Sequence, residues 1–168
     1  MAITPAELQF RLSGGAANSD GNASIGGAIS ANEIGQNLHD LFDLVSSDEA
    51  AAGDVEYRCI YIINTNGSLT AQSVSIFIQS NTPSGDSQIA IGLGAAGLNA
   101  TESAVADEST APAGVTFSEP ANDGAGLNPV DIPAGQYVSL WIRRTINAAA
   151  SALNNDTATL RVAVDTAE

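Results

Sequence analysis

The sequence predicts an all-β chain: an antiparallel β-sandwich of jelly-roll character with about seven or eight strands, one short helix and a long N-terminal loop or arm. Two observations predict it. Apolar and polar residues alternate with a period of two in run after run, and Gly, Pro, Asn or Asp bounds each run. Only 14% of the residues are charged, so small neutral polar side chains must cover the surface.

The first run is ELQFRLS, where Leu8, Phe10 and Leu12 share one face and Glu7, Gln9 and Arg11 the other. Residues 13–32, SGGAANSDGNASIGGAISAN, carry too little apolar area to offset their ordering cost and read as a mobile or surface-laid arm. Such an arm either wraps its own domain or reaches a neighbour. In QNLHDLFDLV the spacing of Leu38, Leu41, Phe42 and Val45 predicts a helix over 36–46. Upstream, Ser30 and Glu33 have capping-box spacing and Ile29 and Ile34 that of a hydrophobic staple, but Gly35 weakens a helix beginning so early.

Further strand-like runs are VEYRCIYII (55–63), SVSIFIQ (73–79), IAIGL (89–93), GVTFS (114–118), QYVSLWIRRTI (136–146) and ATLRVAV (158–164). Between them NTNGSLT, NTPSGDS, STAPAG, EPANDGAG, DIPAGQ and ALNNDT supply the residues that reverse a backbone. A chain of 168 residues is most simply one domain, 1–168, burying about 70% of the surface of the unfolded chain.

Charge narrows the function. There are 19 acids, five arginines and no lysine, for a formal net charge of -14. Repulsion from phosphates argues against nucleic acid or an anionic membrane as partner. Without lysine there is no P-loop clamp, Schiff base or lysine isopeptide. Cys59 stands alone and forms no internal disulfide, the opening MAITPAELQF does not read as a signal peptide, and no apolar run approaches the roughly 18 residues of a membrane span. We expect cytoplasmic synthesis, followed by residence there or with a larger particle.

Several residues invite a chemical reading. Gly92, Gly94 and Gly97 spell G-x-G-x-x-G, with Glu119 near the position of a ribose-binding acid. The stretch between, LNATESAVADESTAPAG, has no apolar stripe for a crossover helix, so the glycines are expected to relax a strand end and the loop after it. His39, the only histidine, is accompanied by no nucleophile motif and is expected to be a surface or half-buried residue. Cys59 reads as a small buried hydrophobe. The acidic stretches SSDEAAAGD and VADES lack the ligand alternation of a calcium loop and read as solvated loops. No catalytic residue, cofactor or metal is expected.

All five arginines, Arg11, Arg58, Arg143, Arg144 and Arg161, fall inside predicted strands, with Glu56, Glu7 and Asp165 spaced to pair with three of them. Structural ion pairs are the expected use. Arg143 and Arg144 are adjacent and so point to opposite faces; one must lie among Val138, Leu140, Ile142 and Ile146 and needs a carboxylate or carbonyl there.

Taken in order, ELQFRLSGGAANSDGNASIGGAIS, GDVEYRCIYIIN, NTPSGDSQIAIGLG, VADESTAPAGVTFSEP and DIPAGQYVSLWIRRTINAAA resemble a family of small virion structural proteins of tailed bacteriophages. The resemblance implies a capsid decoration, or cement, protein: a β-sandwich bound to the outside of the head, with the major capsid protein lattice as partner and a homo-oligomer, a trimer favoured, at a local symmetry axis. It implies no catalytic residue. In that role the arm would contact capsid or a sister subunit through Ile25, Ile29 and Ile34. The alternative is a tail- or surface-associated module that grips glycan or receptor, with Trp141, Tyr137, Tyr57 and Tyr61 as stacking faces, although their apolar neighbours favour core packing.

Overall fold

The computed structural model describes residues 2–166. It is mostly β, with strands β1 (Leu8–Leu12), β2 (Asp54–Asn64), β3 (Ala71–Ser80), β4 (Ser87–Leu93), β5 (Tyr137–Ile146) and β6 (Thr159–Thr166) and one short helix, α1 (Ser47–Ala52). Two antiparallel sheets form, a four-stranded one in the order β1-β2-β5-β4 and a two-stranded one, β3-β6.

Six of the predicted runs become strands, and GVTFS does not. Gly114 takes a left-handed φ of 75° and the segment makes a single bridge, Ser118 to Ile91 at the outer edge of β4. Beyond it the chain crosses to the second sheet, where Leu127 and Ile132 bridge Ile76 and Ala71 on the side of β3 away from β6. Residues 118–132 therefore tie the edge of one sheet to the edge of the other.

The two-residue period dictates which faces meet. Ile60 and Ile62 of β2, Val138, Leu140 and Ile142 of β5, and Ile89 and Ile91 of β4 pack against Ala71, Val74, Ile76 and Ile78 of β3. A bulge in β3 between Gln72 and Ser75 corrects the phase, so that Ala71 and Val74 point inward together. Ser73 sits in the bulge at φ 49°, its N–H donating to Asp131 Oδ1.

The other face of the large sheet is covered too. Cys59, Tyr61 and Trp141 are fully buried there under Ile29, Val105, Val115 and Phe117. Coverage on both sides explains why β2 reads CIYII, nearly continuous in apolar residues.

Residues 13–32 supply much of that cover, so the arm is laid on its own domain. It leaves β1 at Leu12 and returns along the free edge of β1, with Ser30 N–H donating to Leu12 O at 2.8 Å and Leu12 N–H to Asn32 O at 3.1 Å. In between, Ser24 O accepts from Cys59 N–H at 2.6 Å, and residues 25–27 pair with 102–105 through Val105 N–H to Ile25 O and Gly27 N–H to Glu102 O. Ser13, Ser24 and Ser30 are buried, with Asn18 Nδ2 donating to Ser13 O and Ser30 Oγ to Asn18 O. Backbone and serine hydrogen bonds do the ordering that apolar area does elsewhere.

The expected helix over 36–46 is absent, and turns and bends stand in its place. Two carbonyls of the segment go to arginines instead: Arg58 Nε donates to Leu41 O at 3.2 Å and Arg144 Nη1 to Asp43 O at 2.7 Å. His39 adopts a left-handed φ of 68°, and Asp40 Oδ2 accepts from Asn37 N–H. The helix begins instead at SSDEAAAGD, where Ser46 and Glu49 form a reciprocal capping box, whereas Ser30 Oγ accepts from Asn32 N–H and starts no helix.

Candidate functional site

β4 ends in the glycine run, and the geometry there is that of a closed packing joint. A Cβ on Gly92 would meet Val115 and the Thr116 carbonyl, and one on Gly94 would meet Ser139 Oγ and Glu102 Oε2. Glu102, 5% exposed, inserts its carboxylate into the loop and accepts from the N–H groups of Ala95 and Ala96 at 3.1 and 3.2 Å and from Ser139 Oγ at 2.6 Å. These are the amides a phosphate would need. β4 runs antiparallel to β5, without the parallel strand and crossover helix of a dinucleotide fold. Glu119 lies apart, accepting from Gln88 Nε2. The hollow beside Gly94 and Gly97, about 230 Å³, is below the usual size of a ligand pocket, about 300–1,000 Å³.

Tyr61 locks the same layer from the β2 side. Its hydroxyl donates to Gly27 O at 2.6 Å and accepts from Glu102 N–H at 2.8 Å, joining the arm to the loop over the sheet. Burial pushes the Tyr61 phenol up, and burial reinforced by the Glu102 charge pushes the Cys59 thiol up, so neither ionises readily. Trp141 is fully buried and presents no ring face for stacking, and Tyr61 packs edge-on against Tyr137.

The inner face of the large sheet ends in an ionic network. Glu56 and Arg144 are direct partners across β2 and β5, and both point toward the core side, where Arg144 is the arginine among Ile142 and Ile146. Glu56 Oε2 bonds Arg144 Nε, Glu56 Oε1 lies 3.6 Å from Arg58 Nη2, Arg144 reaches Asp43 Oδ1 at 3.2 Å, and Arg58 reaches Glu108. The Phe42 ring lies between the two guanidiniums, 5.2 Å from Arg58 and 4.8 Å from Arg144. Burial pushes the Glu56 carboxyl up to about 7, against the pull of Arg144 and Arg58 and with a smaller push from Asp43. Carboxylate oxygens of Asp43, Glu56 and Glu108 come within 4.8 Å of one another, the spacing of a cation site, but the two guanidiniums already supply positive charge among them.

The remaining arginines correct the expectation of pairing. Among the described residues, salt bridges involve only Arg58 and Arg144. Arg11 donates to Gln9 Oε1, a neighbour on its own strand face, and Arg143 lies over the Phe117 ring at 5.2 Å on the outer face, where aromatic residues and not acids meet it. Arg161 stands opposite Phe77 on β3. Of the proposed arm anchors, Ile29 packs on the Trp141 cluster and Ile34 on the main core, while Ile25 is half-buried. His39 is exposed.

The network holds one wall of a groove of about 1320 Å³. Residues 34–47 form that wall, 149–160 the opposite one, and Ile142, Ile146 and Arg144 of β5 lie at its base. Leu38, Leu44 and Leu153, 44%, 70% and 51% exposed, stand along it. No signal in the periodicity marks this groove, because the apolar spacing of 36–46 reads as a helix that would turn Leu38 inward.

No protein-family model, no curated protein and no solved structure matches this chain.

Proposed function

We propose that this chain is a non-enzymatic virion structural protein, a decoration protein that binds the outside of a phage head, and that its two sheets form a jelly-roll-like β-sandwich serving as a rigid block. The resemblance of its phrases to small virion proteins motivates the reading. The observation that carries it is how the reactive side chains are employed. Glu102, Tyr61, Cys59, Glu56, Arg58 and Arg144 are all bound into packing or internal hydrogen bonds, so the outer surface is the part left to act. A protein of this kind strengthens a shell by adding contact area across subunit seams, and many modest contacts on a symmetric lattice sum to a large resistance. The major capsid protein is the partner under this reading, with a trimer on a local symmetry axis.

Imaging of purified particles tests it. Density of this size repeated over the head surface is the expected result, and its location on the tail, or absence from the particle, overturns the assignment.

A further inference from the structure

The large sheet has four strands and the small one two, so the small sheet does not span the inner face it packs on. On the side of β4 the gap is bridged by residues 118–132; on the side of β6 it opens as the groove. Thr159 and Leu160, the first residues of β6, line that opening. Among the described residues the backbone of β6 pairs with β3 alone, so alternate N–H and C=O groups along its other edge face outward. Behind them Leu160, Val162 and Val164 are only half-buried.

Charge selects the occupant. Asp43 and the one arginine of the groove, Arg144, pair with each other, while Asp40, Asp86 and Asp156 line it with no salt bridge among the described residues. A second copy would bring another acidic rim and another net charge of -14 to the same place. The same field repels nucleic acid and anionic lipid.

We propose that this groove is a docking site for an extended, basic segment of a protein partner, which adds as a strand to the free edge of β6. Its backbone would complete the unpaired row, alternate apolar side chains would cover Leu44 and Leu153, and its cations would meet the aspartates. The proposal does not depend on the virion reading, because the open edge and the acid rim belong to the isolated chain.

The probe is a labelled peptide alternating valine and lysine, titrated into the full chain and followed by fluorescence anisotropy and by amide exchange. Binding that weakens with added salt and slows exchange along β6 is expected. Leu44→Ser and Leu153→Ser should each weaken it about tenfold, the worth of one leucine buried on binding. Both side chains are exposed, so circular dichroism should stay unchanged. A peptide methylated on alternate backbone nitrogens should not bind. Failure of the valine–lysine peptide to bind the folded chain overturns the proposal, as does equal binding by a valine–glutamate peptide or by the serine variants. Dimerisation abolished by the same serine variants would assign the groove to a second copy and overturn it too.

Discussion

Glu56 and Arg144 stand opposite each other across the β2–β5 ladder and meet on the face turned toward the core, where Glu56 is 1% exposed. The pair does more than join two strands. Through Arg144 it holds Asp43, and through Phe42 and Arg58 it holds the whole 36–46 wall against the sheet. Arg144→Ala removes that hold and leaves a buried carboxylate facing Arg58 alone. We expect a loss of about 3 kcal/mol in urea unfolding, with amide exchange accelerating first in residues 36–46.

The raised Glu56 carboxyl makes the same site sensitive to pH. A group whose folded pKa is about 7, against 4.5 ordinarily, binds its proton more tightly in the folded chain. Its contribution to stability is therefore greatest in acid and is lost as pH rises from about 4.5 through 7. Glu56→Gln should flatten that part of the stability profile. Between pH 5 and pH 8 the changes in unfolding free energy of the two proteins should differ by at most about 3 kcal/mol, and parallel profiles would refute the assignment.

Gly94→Ala should cost about 2 kcal/mol or more, because its Cβ displaces Glu102 and leaves the Ala95 and Ala96 amides unpaired. Gly97→Ala meets open space and costs only its left-handed φ of 79°, about 1 kcal/mol. Gly85→Ala, with open space and no such φ, should be silent. Thermal melts of the three rank these effects.

Tyr61→Phe strips the hydroxyl that bridges Gly27 and Glu102. A loss of about 2 kcal/mol follows from leaving two buried groups unpaired. Hydrogen exchange should show residues 25–27 and 102–105 loosening together while β3 and β6 stay protected.

Much of this architecture is written in the alternation of residues. Six strands fall where Leu8, Ile60, Ile76, Ile89, Leu140 and Val162 repeat at every second position, since a strand between a core and another layer has little choice. The adjacency of Arg143 and Arg144 likewise announced a charge on the apolar face. Residues 36–46 were not legible, because the competitor to the helix is a pair of guanidiniums 17 and 101 positions away. Of the two placements open to the 13–32 arm, it takes the one on its own domain, and its order comes from backbone and serine hydrogen bonds, which composition does not register. Glu102 carries no signal in the sequence, because its place among Ala95, Ala96 and Ser139 is set by tertiary packing and not by a motif spacing.

The pairing of β3 with β6 has a consequence for biosynthesis. At roughly 5–20 residues per second, a ribosome needs about 4–16 s to make the roughly 80 residues that separate the end of β3 from the start of β6. Throughout that interval the β6 partner of Val74, Ile76 and Ile78 has not yet been made. Each nascent chain thus passes through a stage in which one half of the small sheet has no second strand to pair with, and aggregation competes with folding during that stage.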